Sequence, residues 1–142
     1  MRLCLRPSQD ERLPIVIAVV DDDESVREAL TGLMKSLGYG AAAFQSAEEF
    51  LNSSQRHGAA CLISDVQMPG MTGLELHDRL VASGEPIPTI LITAFPDETA
   101  RTRAARAGVN CYLTKPFRED DLLNCIRSAL DSKDAGEGEH DD

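Results

Sequence analysis

Residues 60 to 73 read ACLISDVQMPGMTG. The apolar run Cys61-Leu62-Ile63 ends in a single carboxylate, Asp65. A turn with Pro69 and Gly70 follows, and Thr72 and Gly73 then open a helical pattern. An acid at the tip of a buried strand is costly unless something compensates it. Whatever offsets Asp65 must come from elsewhere in the chain, and the alternation of strands and helices on either side says from where.

Upstream, Pro14 precedes IVIAVV, a run without polar interruption that fits a strand buried on both faces of a parallel sheet. Asp21-Asp22-Asp23 comes next. Val26, Ala29, Leu30, Leu33, Met34 and Leu37 then trace one helical stripe closed by Gly38. GAAAF (40 to 44) is a weaker strand, and Ser46 with Glu49 forms a capping box for a second helix. Downstream of the central strand, Thr72 and Glu75 make another capping box for a helix reaching about Ser83. Thr89 to Ile92 forms a fourth strand, Asp97 caps an Ala/Arg-rich helix ending at Gly108, and 110 to 113 forms a short fifth strand. After Lys115-Pro116 a last helix carries Leu122, Cys125, Ile126, Ala129 and Leu130 on one face, with Glu119, Asp120 and Asp121 at the positive end of its dipole. Strict strand–helix alternation with short connections predicts a doubly wound α/β sheet, whose sites lie at the carboxyl ends of strands.

The 142 residues suit one domain, expected over 14–131, with an N-terminal extension at 1–13 and an acidic tail at 132–142 expected to be disordered. The net charge is −10, and half of it lies in residues 131 to 142, where six acids meet one Lys. The remaining mildly acidic body argues against non-specific nucleic-acid binding. The longest strongly apolar run, Ile15 to Val20, is too short to span a membrane. Cys4, Cys61, Cys111 and Cys125 contain no CxxC pair and no metal-ligand spacing. Cys61 and Cys111 sit in strand-like runs and are expected to be free, small buried hydrophobes, in a reducing cytoplasm.

Strand ends then supply the compensation for Asp65. Strand one offers Asp21 and Asp22, strand four Thr93 and Ala94, and strand five Lys115. Consecutive acids before a helix commonly serve as a solvated N-cap, and Lys-Pro is commonly a loop; the joint occurrence at successive strand ends carries the weight. Three converging carboxylates repel, and a divalent cation relieves the conflict. All-oxygen ligands at a hydrated site favour Mg²⁺ over Zn²⁺. A Lys pairs with phosphate as a point charge, and a Thr adds a neutral donor. Together these groups form a phosphoryl-transfer set with one Asp as nucleophile.

The blocks VVDDDESVREAL, LISDVQMPGMTGLEL, ILITAF and YLTKPF resemble the signature blocks of bacterial two-component response-regulator receiver domains, of the single-domain, chemotaxis-regulator-like kind. The likeness runs from about Ile15 to Leu130. It implies a flavodoxin-like fold with parallel strand order 2-1-3-4-5 and five helices. It also implies that Asp65 is the phosphoacceptor, that Asp22 holds Mg²⁺ directly and Asp21 through water, and that the backbone carbonyl of Gln67 is a further ligand. Lys115, before a Pro116 peptide usually cis in the family, would pair with the phosphoryl oxygens, Thr93 would hydrogen-bond them, and Tyr112 would change rotamer. The implied partners are a sensor histidine kinase or histidine phosphotransfer protein, a downstream protein reached through the surface of helix four, strand five and helix five, and a second copy of the chain in a phosphorylation-dependent homodimer. Neither nucleic acid nor membrane is an expected direct partner.

Other functions were weighed against the same residues. A Mg²⁺-dependent aspartyl-phosphate phosphohydrolase needs an acid/base two residues after its nucleophile, where Gln67 cannot shuttle a proton. The chain is therefore expected to be no enzyme beyond self-phosphorylation and slow autodephosphorylation. A flavin module of similar fold would need a phosphate-cradling loop where DDDES stands. A receiver fragment of a DNA-binding regulator remains the alternative, although the acidic tail looks more like an end than a linker. Phe95 either shields the acyl phosphate from water or packs. His77 is expected to be half-buried with its hydrogen bonds satisfied.

Overall fold

The computed structural model describes residues 15–138, and from 132 onward only the backbone. The elements alternate as expected: β1 (Val16–Val20), α1 (Glu24–Ser36), β2 (Gly40–Phe44), α2 (Ala47–Leu51), a 3-10 turn (Ser54–Gly58), β3 (Ala59–Asp65), α3 (Gly73–Ala82), β4 (Thr89–Thr93), α4 (Glu98–Ala107), β5 (Cys111–Thr114) and α5 (Glu119–Gly138). All pairings are parallel and the order is β2-β1-β3-β4-β5. This is the flavodoxin-like doubly wound sheet.

The continuous apolar runs serve two faces at once, because successive strand residues point to opposite sides. Ile17 and Val19 of β1, Cys61 and Ile63 of β3, and Ile90 and Ile92 of β4 pack beneath Leu30 and Met34 of α1 and Leu122, Ile126 and Ala129 of α5. Ala18, Val20 and Leu62 face the other way, onto Phe50 of α2 and Leu76 and Leu80 of α3. Leu74 of α3, Leu91 and Ala104 of α4 form a smaller layer against which Tyr112 packs. Interior β4 is buried throughout, whereas the edge strands β2 and β5 are largely half-buried. That suits the small residues of GAAAF.

Local chemistry sets the element ends. Asp23 caps α1, accepting from the backbone N–H of Ser25 at 2.8 Å and of Val26 at 3.3 Å. Thr72 and Glu75 complete a reciprocal capping box on α3. At α2 only half of the expected box forms: Ser46 accepts from Glu49 N–H, but the Glu49 carboxylate takes the N–H of Gln45 instead. Gly108 ends α4 with φ +94°, a left-handed geometry that only Gly adopts without strain.

Several expectations are corrected. The α1 stripe is wider than the buried contact, since Leu37 is 39% exposed and Ala29 is also exposed. The last helix runs Glu119–Gly138, through the first part of the stretch expected as an acidic tail. Residues 1–13 and the last part of the acidic tail lie outside the described residues. The cysteines differ most. Cys111 on β5 and Cys125 on α5 are disulfide-bonded with Cα atoms 6.0 Å apart, while Cys61 is a free buried thiol that burial pushes up to about 12. Cys4 lies outside the described residues. A strand-to-helix pair separated by 14 positions carries no sequence spacing signal; only the packing of α5 against the sheet brings the two sulfurs together.

Candidate functional site

Two strands deliver the acids. β1 ends at Val20, and Asp21 just beyond it is fully buried; β3 ends at Asp65, 8% exposed; Asp22 is exposed beside them. Carboxylate oxygens of Asp21, Asp22 and Asp65 lie within 4.8 Å of one another. The third consecutive acid, Asp23, turns away to cap α1. The DDD run thus divides between a helix cap and the carboxylate cluster.

Each buried carboxylate is anchored by backbone. Asp21 Oδ1 accepts from the Asp23 N–H at 2.9 Å, and Asp65 Oδ1 accepts from the Gln67 N–H at 3.1 Å. Arg27 of α1 donates to the Asp21 carbonyl at 2.8 Å and ties the β1–α1 turn to its helix. The opposite Oδ2 atoms share one cation: Lys115 Nζ lies 3.4 Å from Asp21 Oδ2 and 3.3 Å from Asp65 Oδ2. Lys115 reaches them from the end of β5, where its peptide to Pro116 is cis. Burial raises the pKa of Asp21, with the Asp23 N–H and Lys115 opposing and the Asp65 charge adding to the rise. For Lys115 burial acts downward, but the two carboxylates outweigh it and hold the ammonium above its ordinary value. The site is therefore a compact knot of like charge held by one Lys.

Thr93 stands at the end of β4, fully buried, with Thr114 of β5 opposite it in register. Its hydroxyl accepts from the Phe95 N–H at 3.0 Å and donates to Gln67 Oε1 at 3.4 Å, a long bond that the hydroxyl can exchange for a stronger acceptor. Phe95 is 69% exposed, which removes the packing alternative for this side chain. Ala94 is exposed as well, leaving the edge open. Tyr112 faces Leu91 of β4 in register, and its buried hydroxyl has no hydrogen-bond partner among the described residues. The Arg101 guanidinium of α4 lies 4.8 Å from the centre of its ring.

The donor set has the chemistry of a hard-cation site. All the ligand atoms are carboxylate oxygens, one acid is open to water, and the buried acid Asp21 is pushed toward protonation by its own burial. That fits a hard, hydrated divalent cation and not a thiol- or imidazole-binding one. Sequence reading brought together Asp21, Asp22, Asp65, Gln67, Thr93, Lys115 and Tyr112, and all of them lie at this edge of the sheet or on the adjoining β5. It missed Arg27 and Arg101, which look like ordinary helix-surface arginines in the sequence. It also missed the state of His77, which is 5% exposed with Nδ1 unpartnered by any hydrogen bond; the Asp78 carboxylate is 3.9 Å away.

With this geometry in hand, comparison with known proteins is informative. A family model for the response regulator receiver domain matches residues 17–127. The response regulator protein TmoT of Ectopseudomonas mendocina is 46% identical over 115 residues, covering 81% of this chain and 52% of TmoT. The transcriptional regulatory protein FixJ of Bradyrhizobium diazoefficiens is 37% identical over 114 residues, covering 80% of this chain and 56% of FixJ. The response regulator StyR superposes with a TM-score of 0.78 at 39% identity, over 88% of this chain and 65% of that one. The chain spans about half the length of the curated relatives it matches.

Proposed function

This chain belongs to the response-regulator receiver family, and from that premise we propose that it is a phosphorylation-driven switch with Asp65 as phosphoacceptor. One observation carries the assignment: Asp65 Oδ2 lies at the tip of β3, 3.3 Å from Lys115 Nζ, inside a carboxylate cluster with Asp21 and Asp22. Asp21, Asp22, Asp65 and the Gln67 backbone carbonyl would hold Mg²⁺. When bound, the cation neutralises charge on the carboxylates and on the incoming phosphoryl oxygens.

The residues divide the work. Asp65 attacks the phosphorus of a phosphohistidine or of acetyl phosphate, an acyl–phosphate bond forms as the bond to the leaving group breaks, and Lys115 stabilises the oxygens in flight. Afterwards the dianion competes for both neutral and cationic donors. Lys115 exchanges its two long carboxylate contacts for phosphoryl oxygens, and Thr93 exchanges Gln67 Oε1 for the same acceptor. Driving a switch from 1:99 to 99:1 takes about 5.5 kcal/mol, and two charge-assisted hydrogen bonds of roughly 1.5–3 kcal/mol each are of that size. Movement of Thr93 vacates space beside Tyr112, whose unpartnered hydroxyl gives it reason to leave. The change then reaches the α4–β5–α5 face, where a downstream protein or a second copy would read it.

An apolar groove beside Lys115, lined by Val26, Ala29, Leu30, Leu33, Pro116 and Phe117, supports docking of the phosphohistidine-bearing partner, a sensor kinase or phosphotransfer protein. Gln67 is a poor proton shuttle, which favours a persistent phosphoryl group over phosphohydrolase turnover. The decisive experiment treats wild type and Asp65→Asn with acetyl phosphate and Mg²⁺ and reads intact mass. One phosphoryl group on the wild type and none on the variant is expected; equal labelling would sink the assignment, and many turnovers per molecule would favour the hydrolase. A second reading, that this sequence is the receiver of a longer transcriptional regulator, is favoured by its coverage of only 56% of FixJ. Placement in a cytoplasm belongs to the same proposal; among the described residues no helix is long and apolar enough to cross a membrane.

A further inference from the structure

Cys111 and Cys125 join two of the three elements that form the face expected to change on phosphorylation. Their Cα separation of 6.0 Å lies within the ordinary disulfide range, so the native backbone can close the bond. Adjacent residues of β5 point to opposite sides. Cys111 joins the layer under α5, with Leu122, Cys125 and Ile126, whereas Tyr112 joins the layer under α4, where Arg101 covers its ring. The link therefore ties one side of β5 to α5 while the switch aromatic sits on the other side. The covalent ring from 111 to 125 also encloses Lys115, the cation of the site.

We propose that Cys111 and Cys125 form a reversible thiol–disulfide site whose oxidation clamps α5 to β5 and damps the response to phosphorylation. It rests on the receiver reading above. Disulfides in thiol-reducing compartments are usually transient or redox-sensing. Cys111 is half-buried and Cys125 is 9% exposed, so a small thiol reagent has a route in, whereas Cys61 is fully buried and does not compete. The oxidant class is a low-molecular-weight disulfide. The Cys111 thiolate attacks one of its sulfurs, giving a mixed disulfide and releasing one thiolate. The Cys125 thiolate then attacks the Cys111 sulfur and expels the second. The two cysteines lose two protons and two electrons, and the small disulfide becomes two thiols. In the reduced form α5 is held by packing alone, and β5 is free to adjust as Tyr112 moves.

The test equilibrates the full chain across a series of reduced to oxidised glutathione ratios and maps the thiols by alkylation and peptide mass. Amide exchange is then followed with and without acetyl phosphate and Mg²⁺. Support is a Cys111–Cys125 peptide that forms and disappears reversibly, phosphoryl uptake by both redox forms, and a phosphorylation-dependent change over residues 111–130 roughly threefold smaller when oxidised. Cys111→Ala and Cys125→Ala should each keep the reduced-form response at every ratio. No linked peptide at any ratio, or equal responses in the two redox forms, overturns the proposal. If the link forms but neither form takes up a phosphoryl group, the phosphoacceptor reading fails and the coupling fails with it.

Discussion

At Tyr112 the protein keeps a polar atom where nothing receives it. The ring packs against the layer of Leu74, Leu91 and Ala104, and Arg101 lies over its face, yet the buried hydroxyl has no partner among the described residues. An unsatisfied buried hydroxyl costs about 1–3 kcal/mol. Tyr112→Phe is therefore expected to stabilise the unphosphorylated protein by about 1 kcal/mol in urea unfolding, at unchanged slope. A destabilised variant would mean that the hydroxyl is satisfied in solution. Under the proposed switch, the same atom would give the aromatic a motive to move once Thr93 is drawn toward a phosphoryl group. Tyr112 as an aromatic within a strand was legible from YLTKPF. Its missing partner and its Arg101 cover were not, because both depend on how α4 lies across β5.

The connection from β3 to α3 ends at a position with no room for a side chain. Gly73 is the first residue of α3, and its N–H donates to the Val66 carbonyl at 3.1 Å. A Cβ added there would collide with the Asp65 carbonyl and would come within 2.9 Å of both Leu91 Cδ2 and Ser64 Oγ. Two of these neighbours belong to the strand end that carries Asp65, the proposed phosphoacceptor. Gly73→Ala is expected to destabilise by about 1–3 kcal/mol through overpacking and to slow phosphoryl uptake, because relief requires Asp65 to move. Denaturant midpoints and uptake of label from acetyl phosphate check the two parts separately. The turn before it was readable as Pro69-Gly70 and Thr72–Glu75 chemistry. That Gly73 must lack a side chain was not, since the obstacle is backbone brought close by the fold.

For the molecule as a whole, His77 couples stability to pH. It is 5% exposed on α3, and burial lowers its pKa from 6.5 while the neighbouring Asp78 acts to raise it. The unfolded chain then takes up the proton more readily than the folded one, so stability falls as pH drops below 6.5 and is unaffected by this group above it. One proton gives a slope of at most about 1.4 kcal/mol per pH unit. His77→Leu should flatten thermal or urea stability between neutral pH and the acid range, and an unchanged slope would exonerate this residue. The chain by itself determined the alternation of elements, the parallel doubly buried sheet and the acids, hydroxyl and Lys at its strand ends, because periodicity, caps and short connections are local chemistry. Only the tertiary structure decided that Asp23 leaves the site to cap α1, that Phe95 stands in solvent, that His77 lacks a hydrogen bond at Nδ1 and that Cys111 meets Cys125. Each of these depends on which face of one element lands on another, a matter of three-dimensional packing that no spacing along the chain encodes.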